Sequence, residues 1–486
     1  MATTNDDPVI ANPTWLGDIR HFFTQGDVDC MKPRGIDLSS YADVQSHAFN
    51  IYLQVQSGQM PMGQARWSAN KVQSLLNWIQ QKCPMGSDSV TATAKLAASP
   101  PPPRLRKNLA SLSATELDML TTAFTTLMQR DPTDPTSYYS VASQHGVPLL
   151  YCMHHVQPFA SWHRLYMQMF EDMLRTVDGC ADLTLPYWDV TTEAPAILFQ
   201  APFASYTVPV ALPAPYGANY TTQRNDAATI YSNYQMTPSL AWSIGQSVIQ
   251  PNFGQSFSHG FDSFYVQAHD NGHDRAGPTL SDPNIASFDP IFWFFHANWD
   301  RVWLSWQRNA NALTVQSFTA TLDKDDNPIW MSFPLAPWSG TSDDTISMPE
   351  IAYDAYIEAP AMPNVKSGNI VAMSTFSVGT DAKVSVRVKD IDRTNIPGTF
   401  AVLLLANGEQ IARQAFFQPP VPKDCPTCSK QPLVNIDFQV DQSELTGKKL
   451  SIAVDVPSLG EGAMGRFPLS QIGNPTINAR LLLEER

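Results

Sequence analysis

A chain of 486 residues with a 43% hydrophobic fraction and 16% charged residues can fill a packed core over two or three domains, which excludes a mainly disordered protein. No stretch approaches the roughly 18 consecutive apolar residues of a membrane span, so no membrane partner is expected. The formal net charge of -14 has the wrong sign for holding phosphate backbones, so no nucleic acid partner is expected.

The opening MATTNDDPVI has no basic stretch and no apolar one, and it predicts a cytoplasmic protein. From about Thr14 to Gln81 the segments YADVQSHAFNIYLQVQSG and ANKVQSLLNWIQQ place apolar residues three and four apart, which predicts helices. Four prolines in SPPPPRLR, Ser99 to Arg106, predict an extended loop. The next helix opens at SATE, Ser113 to Glu116, a capping box, and stops at Asp131-Pro132. Histidine-rich and aromatic-rich segments run from Tyr138 to about Gln307, with a proline-punctuated stretch between them. After about Pro360 the period changes to two: KVSVRVKD (Lys383 to Asp390), LVNIDFQV (Leu433 to Val440), LSIAVDV (Leu450 to Val456) and TINARLLL (Thr476 to Leu483) alternate as half-buried strands do. The predicted fold class is α + β multidomain, mainly helical and then all-β. Its expected domains are an N-terminal helical extension packing on the core (1–110), a helical core (111–357) and a C-terminal β-sandwich (358–486).

Six of the ten histidines fall into two groups of three. His145, His154 and His163 lie in HGVPLLYCMHHVQPFASWHRLYMQMFEDML. The nine residues from His154 to His163 make two and a half helical turns, which would put them on opposite faces of one helix. His154 is therefore expected in the loop before the helix that carries His163. His269 and His273, in HDNGH, are four apart on one helix face, as two imidazoles meeting one metal ion would be. His296, in FDPIFWFFHANWDRVW, supplies a third, and Asp300 one turn on is expected to take the proton of its second ring nitrogen. A lone HxxxH is more often a solvated pair. Two triads with tryptophan, arginine and aspartate in fixed places are far more specific.

With these residues, Ser137 to Gln307 resembles the type 3 copper family: tyrosinases, catechol oxidases and the oxygen-carrying haemocyanins. The first copper motif is similar to H-x(8)-H-R with a later glutamate, carried here by His154, His163, Arg164 and Glu171. The second is similar to D-P-x-F and H-x-x-x-D, carried by Asp289, Pro290, Phe292, His296 and Asp300. The resemblance implies a four-helix-bundle dicopper core followed by the β domain. It also implies two copper ions, held by His145, His154 and His163 and by His269, His273 and His296, with O2 as co-substrate. All-imidazole ligation suits a metal cycling between Cu(I) and Cu(II), whereas a dizinc hydrolase usually adds a carboxylate ligand. The resemblance also implies that Cys152, in YCMH, joins the His154 ring through a thioether, with a plain buried cysteine as the bland alternative.

Several positions depart from the family pattern. Phe295 stands where a histidine commonly precedes His296, and Asp270 where an asparagine is common among monophenol hydroxylases. Val266 replaces the glutamate that holds a water, and Gln267 is no adequate base. Strong monophenol hydroxylation is not expected unless Asp270 or Asp274 acts as the base. Pro283 aligns with a gate position over the second copper. Cys425 and Cys428, in CPTC, fit a disulfide, half a zinc site or a Cu(I)-handling pair, the last being favoured. The loop GEGAMGRF offers Met464 or Phe467 as a plug over the copper face, against the alternative that Phe467 packs in the sandwich.

The expected function is copper-dependent oxidation of a small phenolic substrate, an o-diphenol or o-aminophenol and with less support a monophenol, to quinone-type products. The competing class is O2 binding without turnover, as in haemocyanins. A homo-oligomer is compatible with the sequence.

Overall fold

The computed structural model of the chain describes residues 9–32, 36–56, 60–61, 66–86, 104–147, 151–324, 326, 328–338, 340–358, 383–424, 428, 431–459 and 466–482. The chain divides into two compact units, one of 1–104, 158–165 and 324–352 and the other of 105–157, 166–323 and 353–486. The strands from residue 383 onward share the second unit with His145, His154, His269, His273 and His296, and His163 falls in the first. Among the described residues no helix is long and apolar enough to cross a membrane.

The first unit holds α1 (Gln25–Met31), α2 (Tyr41–Ser46), α3 (Ala48–Gln56) and α4 (Ala69–Gln80). Polar residues start them: Thr24 and Asp27 form a capping box on α1, and Ser68 Oγ accepts from Lys71 N on α4 at 3.0 Å. Leu75, Leu76, Trp78 and Ile79 of α4 are buried, the 3.6-residue stripe that the periodicity predicts. The unit also includes the start of α7 (Phe159–Arg175), where Trp162 Nε1 donates to the Ala336 carbonyl at 2.6 Å and Arg164 Nη1 to that of Thr345 at 3.0 Å.

The second unit's helical core consists of α5 (Ala114–Gln129), the rest of α7, α10 (Gly260–Ala276) and α11 (Ile291–Asn309), with shorter α6 (Tyr138–Ser143), α8 (Ala227–Tyr234) and α9 (Leu240–Val248) around them. The Ser113 capping box opens α5 as the sequence predicts, and α5 ends at Gln129 ahead of Asp131-Pro132. Rings lock the helices together: Phe170 of α7 stacks on Trp293 of α11 at 3.6 Å, and Phe124 of α5 packs on Phe170 and Phe294. Helix α11 is buried on every face from Ile291 to Gln307, polar Asn298, Asp300 and Arg301 included.

Arg104–Arg106, expected as loop, is a short strand, β1, and residues 99–103 lie outside the described residues. A second short strand, β2, is Ile351–Tyr353. The C-terminal region is an antiparallel two-sheet arrangement, β6-β3-β9 and β5-β4-β7-β8, from β3 (Lys383–Asp392), β4 (Phe400–Ala406), β5 (Glu409–Phe416), β6 (Leu433–Asp441), β7 (Leu450–Asp455), β8 (Arg466–Phe467) and β9 (Thr476–Leu482). Helical core plus sheets is the α + β class expected. β4 and β5 carry no prediction above, because FAVLLLA is buried on both faces and lacks alternation. Buried Cys428 is disulfide-bonded, so it offers no thiolate for the expected copper handling; Cys425 lies outside the described residues.

Arg106, at the end of β1, is fully buried. Its Nε donates to Glu171 Oε2 of α7 at 2.8 Å, and its Nη1 to Asp300 Oδ2 of α11 at 3.0 Å. Tyr353 Oη donates to the same Asp300 oxygen at 2.6 Å, and Leu185 N donates to Glu171 Oε2 at 2.9 Å. One guanidinium thus offsets two carboxylates on two ligand-bearing helices. Replacing Arg106 by Met leaves two buried carboxylates without their cation. That change is expected to cost about 3–5 kcal/mol, read as a shift in denaturation midpoint, with Arg106→Lys costing less; an Arg106→Met protein of unchanged stability would refute the role.

Candidate metal centre

The six histidines come from five places. His145 follows α6, where Gly146 lets the 283–284 loop approach: a Cβ on Gly146 would lie 2.5 Å from the Pro283 carbonyl oxygen and against the Asn284 backbone. His154 lies in the turn before α7, His163 on α7, His269 and His273 on α10, and His296 on α11. Asp289 starts α11 by accepting from Ile291 N at 3.2 Å, and it pairs with buried Arg224 at 3.0 Å. That fixes the register presenting His296.

The outer nitrogens are held first. Nδ1 of His145 lies 2.7 Å from the Pro283 carbonyl oxygen, Nδ1 of His273 2.7 Å from that of Leu280, and Nδ1 of His163 2.9 Å from that of Phe159. A carbonyl oxygen only accepts, so Nδ1 carries the proton and Nε2 keeps its lone pair. His269 Nδ1 faces Asp270 Oδ1 at 3.1 Å, with the same result. Burial reinforces neutrality: desolvation takes His145 down to about 4 and His273 to about 3, against the opposing pull of their carbonyl partners.

The ligand atoms of His145, His154 and His163 lie within 4.8 Å of one another, as do those of His269, His273 and His296. His273 Nε2 and His296 Nε2 are 3.1 Å apart, two ring nitrogens converging on one point. The triads face each other, with ring centroids 6.5 Å apart for His145 and His296 and 5.6 Å for His154 and His269. Two sets of three imidazoles, without a carboxylate in either, fit a pair of copper ions better than hydrolytic zinc.

Cys152 Sγ lies 3.1 Å from His154 Nδ1. The two candidate bases are both engaged. Asp274 forms an ion pair with Arg413 of β5. Asp270 Oδ2 accepts from Phe417 N at 2.9 Å and lies 2.9 Å from His155 Nε2. Arg393 Nη1, 3.4 Å from His155 Nδ1, can only donate, so His155 Nε2 carries the proton toward Asp270. Burial pushes the Asp270 carboxyl up and the His155 imidazole down. Gln267 bonds back to Ser263 of its own helix, and Val266 is buried. Pro283, expected as an open gate over the second copper, is buried and acts through its carbonyl on a ligand of the first triad. Phe295 is buried beside His273, with centroids 4.8 Å apart.

The ring covering the site was not among the sequence candidates. Phe417, one residue past β5, stacks on His273 at 4.3 Å and 14° and stands edge-on to His154 at 4.8 Å. Phe467, the expected plug, pairs with Val454 in the sandwich and is 9% exposed, while Met464 lies outside the described residues. The usable signal was FFQPP: alternation sends Phe416 and Phe417 to opposite sides, and the prolines end the strand. Phe416 indeed packs on His155 at 4.1 Å, away from the triads' ligand atoms. β5 is held to α10 by a polar ladder: Asn271 Nδ2 donates to Gln414 Oε1 at 2.9 Å, Ala415 N to Asn271 Oδ1 at 2.8 Å, and Gln414 Nε2 to the Gln267 carbonyl at 2.9 Å.

Residues 135–213 and 197–309 match the family model described as the common central domain of tyrosinase. Units G and H of a Sepia officinalis haemocyanin are 28% identical over 262 residues, 49% of this chain and 43% of that protein. A tyrosinase of Hahella sp. (strain CCB-MM4) is 26% identical over 263 residues, 43% of this chain and 54% of that one. The matched region thus spans about half the length of these relatives. The tyrosinase structure from Burkholderia thailandensis aligns with a TM-score of 0.60 at 20% identity, over 78% of this chain and all of that one, a likeness of fold.

Copper-loaded protein is expected to hold two copper ions per chain by elemental analysis, and His163→Ala or His296→Ala about one. A variant that keeps both ions would overturn the ligand assignment.

Proposed function

By its central domain the chain belongs to the tyrosinase family of type 3 copper proteins, and from that premise we propose that it is a phenol oxidase with a preference for o-diphenols, held closed by Phe417. The observation that carries the reading is the aromatic ring lying parallel to His273 at 4.3 Å and packed against His154 and His269, so that it meets ligands of both triads. A space that accepts one phenyl ring in that pose accepts the ring of a small phenol, which would stack on the same imidazole once Phe417 withdraws. The copper pair, when bound, supplies the two-electron exchange between phenol and O2.

The protein's own residues divide the remaining work. Carbonyls of Pro283, Leu280 and Phe159 and the Asp270 carboxylate fix the ring proton on Nδ1 and keep the imidazoles aimed. The rings of Phe292, Phe295 and Phe417 keep water away. No base stands ready for a monophenol, since Asp274 is paired with Arg413 and Asp270 bonds to His155 and Phe417 N. Catechols, which lose their protons more readily, therefore rank ahead of monophenols. The polar ladder between β5 and α10 favours a cover that can part, because both of its surfaces hydrate well once separated.

O2 carriage without turnover is the second reading. It is favoured by the same ring, which stands on His273 where a phenol would stack, and by the haemocyanin relatives. Phe417→Ala decides between them. It is expected to raise catechol-dependent O2 consumption at least tenfold with unchanged copper content, and to raise tyrosine turnover much less. A copper-replete Phe417→Ala protein that shows the O2-dependent near-ultraviolet band and consumes no catechol would establish the carrier reading.

The thioether belongs to the same proposal. With Cys152 Sγ already 3.1 Å from the His154 ring, the peptide bearing both residues is expected to be lighter by two hydrogens after copper and O2 exposure. Complete alkylation of Cys152 in such protein would exclude the bond.

A further inference from the structure

Phe295 is the one side chain among the described residues whose ring is recorded against all three imidazoles of the second triad, with centroids 4.8 Å from His273, 5.4 Å from His296 and 6.1 Å from His269. It reaches them because Gly272, between His269 and His273 on α10, has no Cβ: one built there would lie 2.7 Å from Phe295 Cζ. The wedge is closed on its other sides by Trp299, at 5.6 Å, and Trp188, at 6.5 Å, and Tyr234 Oη donates to the Gly272 carbonyl at 2.9 Å. Phe295 is fully buried. It has no polar atom, so it cannot donate to a ligand nitrogen or hold a water beneath the site.

The geometry points to Phe295, seated against Gly272, as a positioning residue for the second copper alone: an apolar wedge that fixes the ring planes of His269, His273 and His296. This inference rests on the copper reading above and deepens it. The adjacent Phe294 provides a matched comparison. It lies on the same helix and is equally buried, but it packs on Phe124 and Phe203. Loss of volume at Phe294 therefore loosens the bundle without touching a ligand ring.

The test is a competitive Cu(I) titration of the full chain, against a chromophoric chelator, in backgrounds that isolate each site. In His163→Ala protein, which keeps the second triad, adding Phe295→Leu is expected to weaken the remaining copper by about tenfold or more, the usual effect of removing a ligand-orienting neighbour. In His296→Ala protein, which keeps the first triad, the same change is expected to leave affinity unaltered. Phe294→Leu should leave both unaltered, and Phe295→Met serves in parallel because its unbranched chain refills most of the space. Equal weakening of both sites, or the same loss from Phe294→Leu, would reduce Phe295 to a general packing role and overturn the proposal, as would undiminished affinity in both Phe295 variants. An unsubstituted chain that binds fewer than two copper ions would instead sink the copper reading itself.

Discussion

A neutral imidazole gives its lone pair to a metal from the nitrogen without the proton, so an acceptor at the other nitrogen selects the tautomer and aims the ring, and much of the site is arranged to supply such acceptors. The acceptors for three of the ligands are main-chain carbonyls, those of Pro283, Leu280 and Phe159. A carbonyl's position is set by the backbone, so the proton-bearing nitrogens of these three rings are aimed by loop and helix geometry. This is why Gly146 matters: a side chain there would push away the Pro283 carbonyl that aims His145. Burial acts in the same direction, because desolvation alone would keep His145 and His273 uncharged at neutral pH.

Such a site needs rigid helices, and the charges buried nearby serve that need at some cost. Arg106 joins Glu171 and Asp300 across α7 and α11, with Tyr353 completing the cluster. A hydrophobic core could hold the two helices as tightly. What the ionic cluster adds is register, since a guanidinium fork meets two carboxylates in few ways, whereas ring packing such as Phe170 on Trp293 tolerates sliding.

The sequence was most readable where a period or a spacing has one physical meaning. HDNGH on a helix, a loop before the His163 helix, and a serine capping box all follow from helical geometry, and the structure has them at those residues. The alternating strands β3, β6, β7 and β9 were legible for the same reason. The failures share a cause. β4 is buried on both faces and has no alternation, so β5 beside it went unread as well, and with β5 went Phe416 and Phe417. The partners of Asp300 were likewise hidden, since Arg106 lies 194 positions away in sequence and has no local motif. Contacts between distant segments leave no periodic trace, and the cover over the metal centre consists entirely of such contacts.

Asp270 is where the cover and the metal centre meet. One carboxylate oxygen faces His269 Nδ1, and the other takes the Phe417 amide and faces His155. Were the cover to part as proposed, the Phe417 amide would leave with it and water would replace it as a donor to Asp270. The other carboxylate oxygen would still face His269 Nδ1. Had the cover bonded directly to an imidazole, each opening would have changed the ligand's basicity. Interposing a carboxylate with two oxygens lets β5 bind tightly beside the second triad while the ring that meets the metal stays fixed.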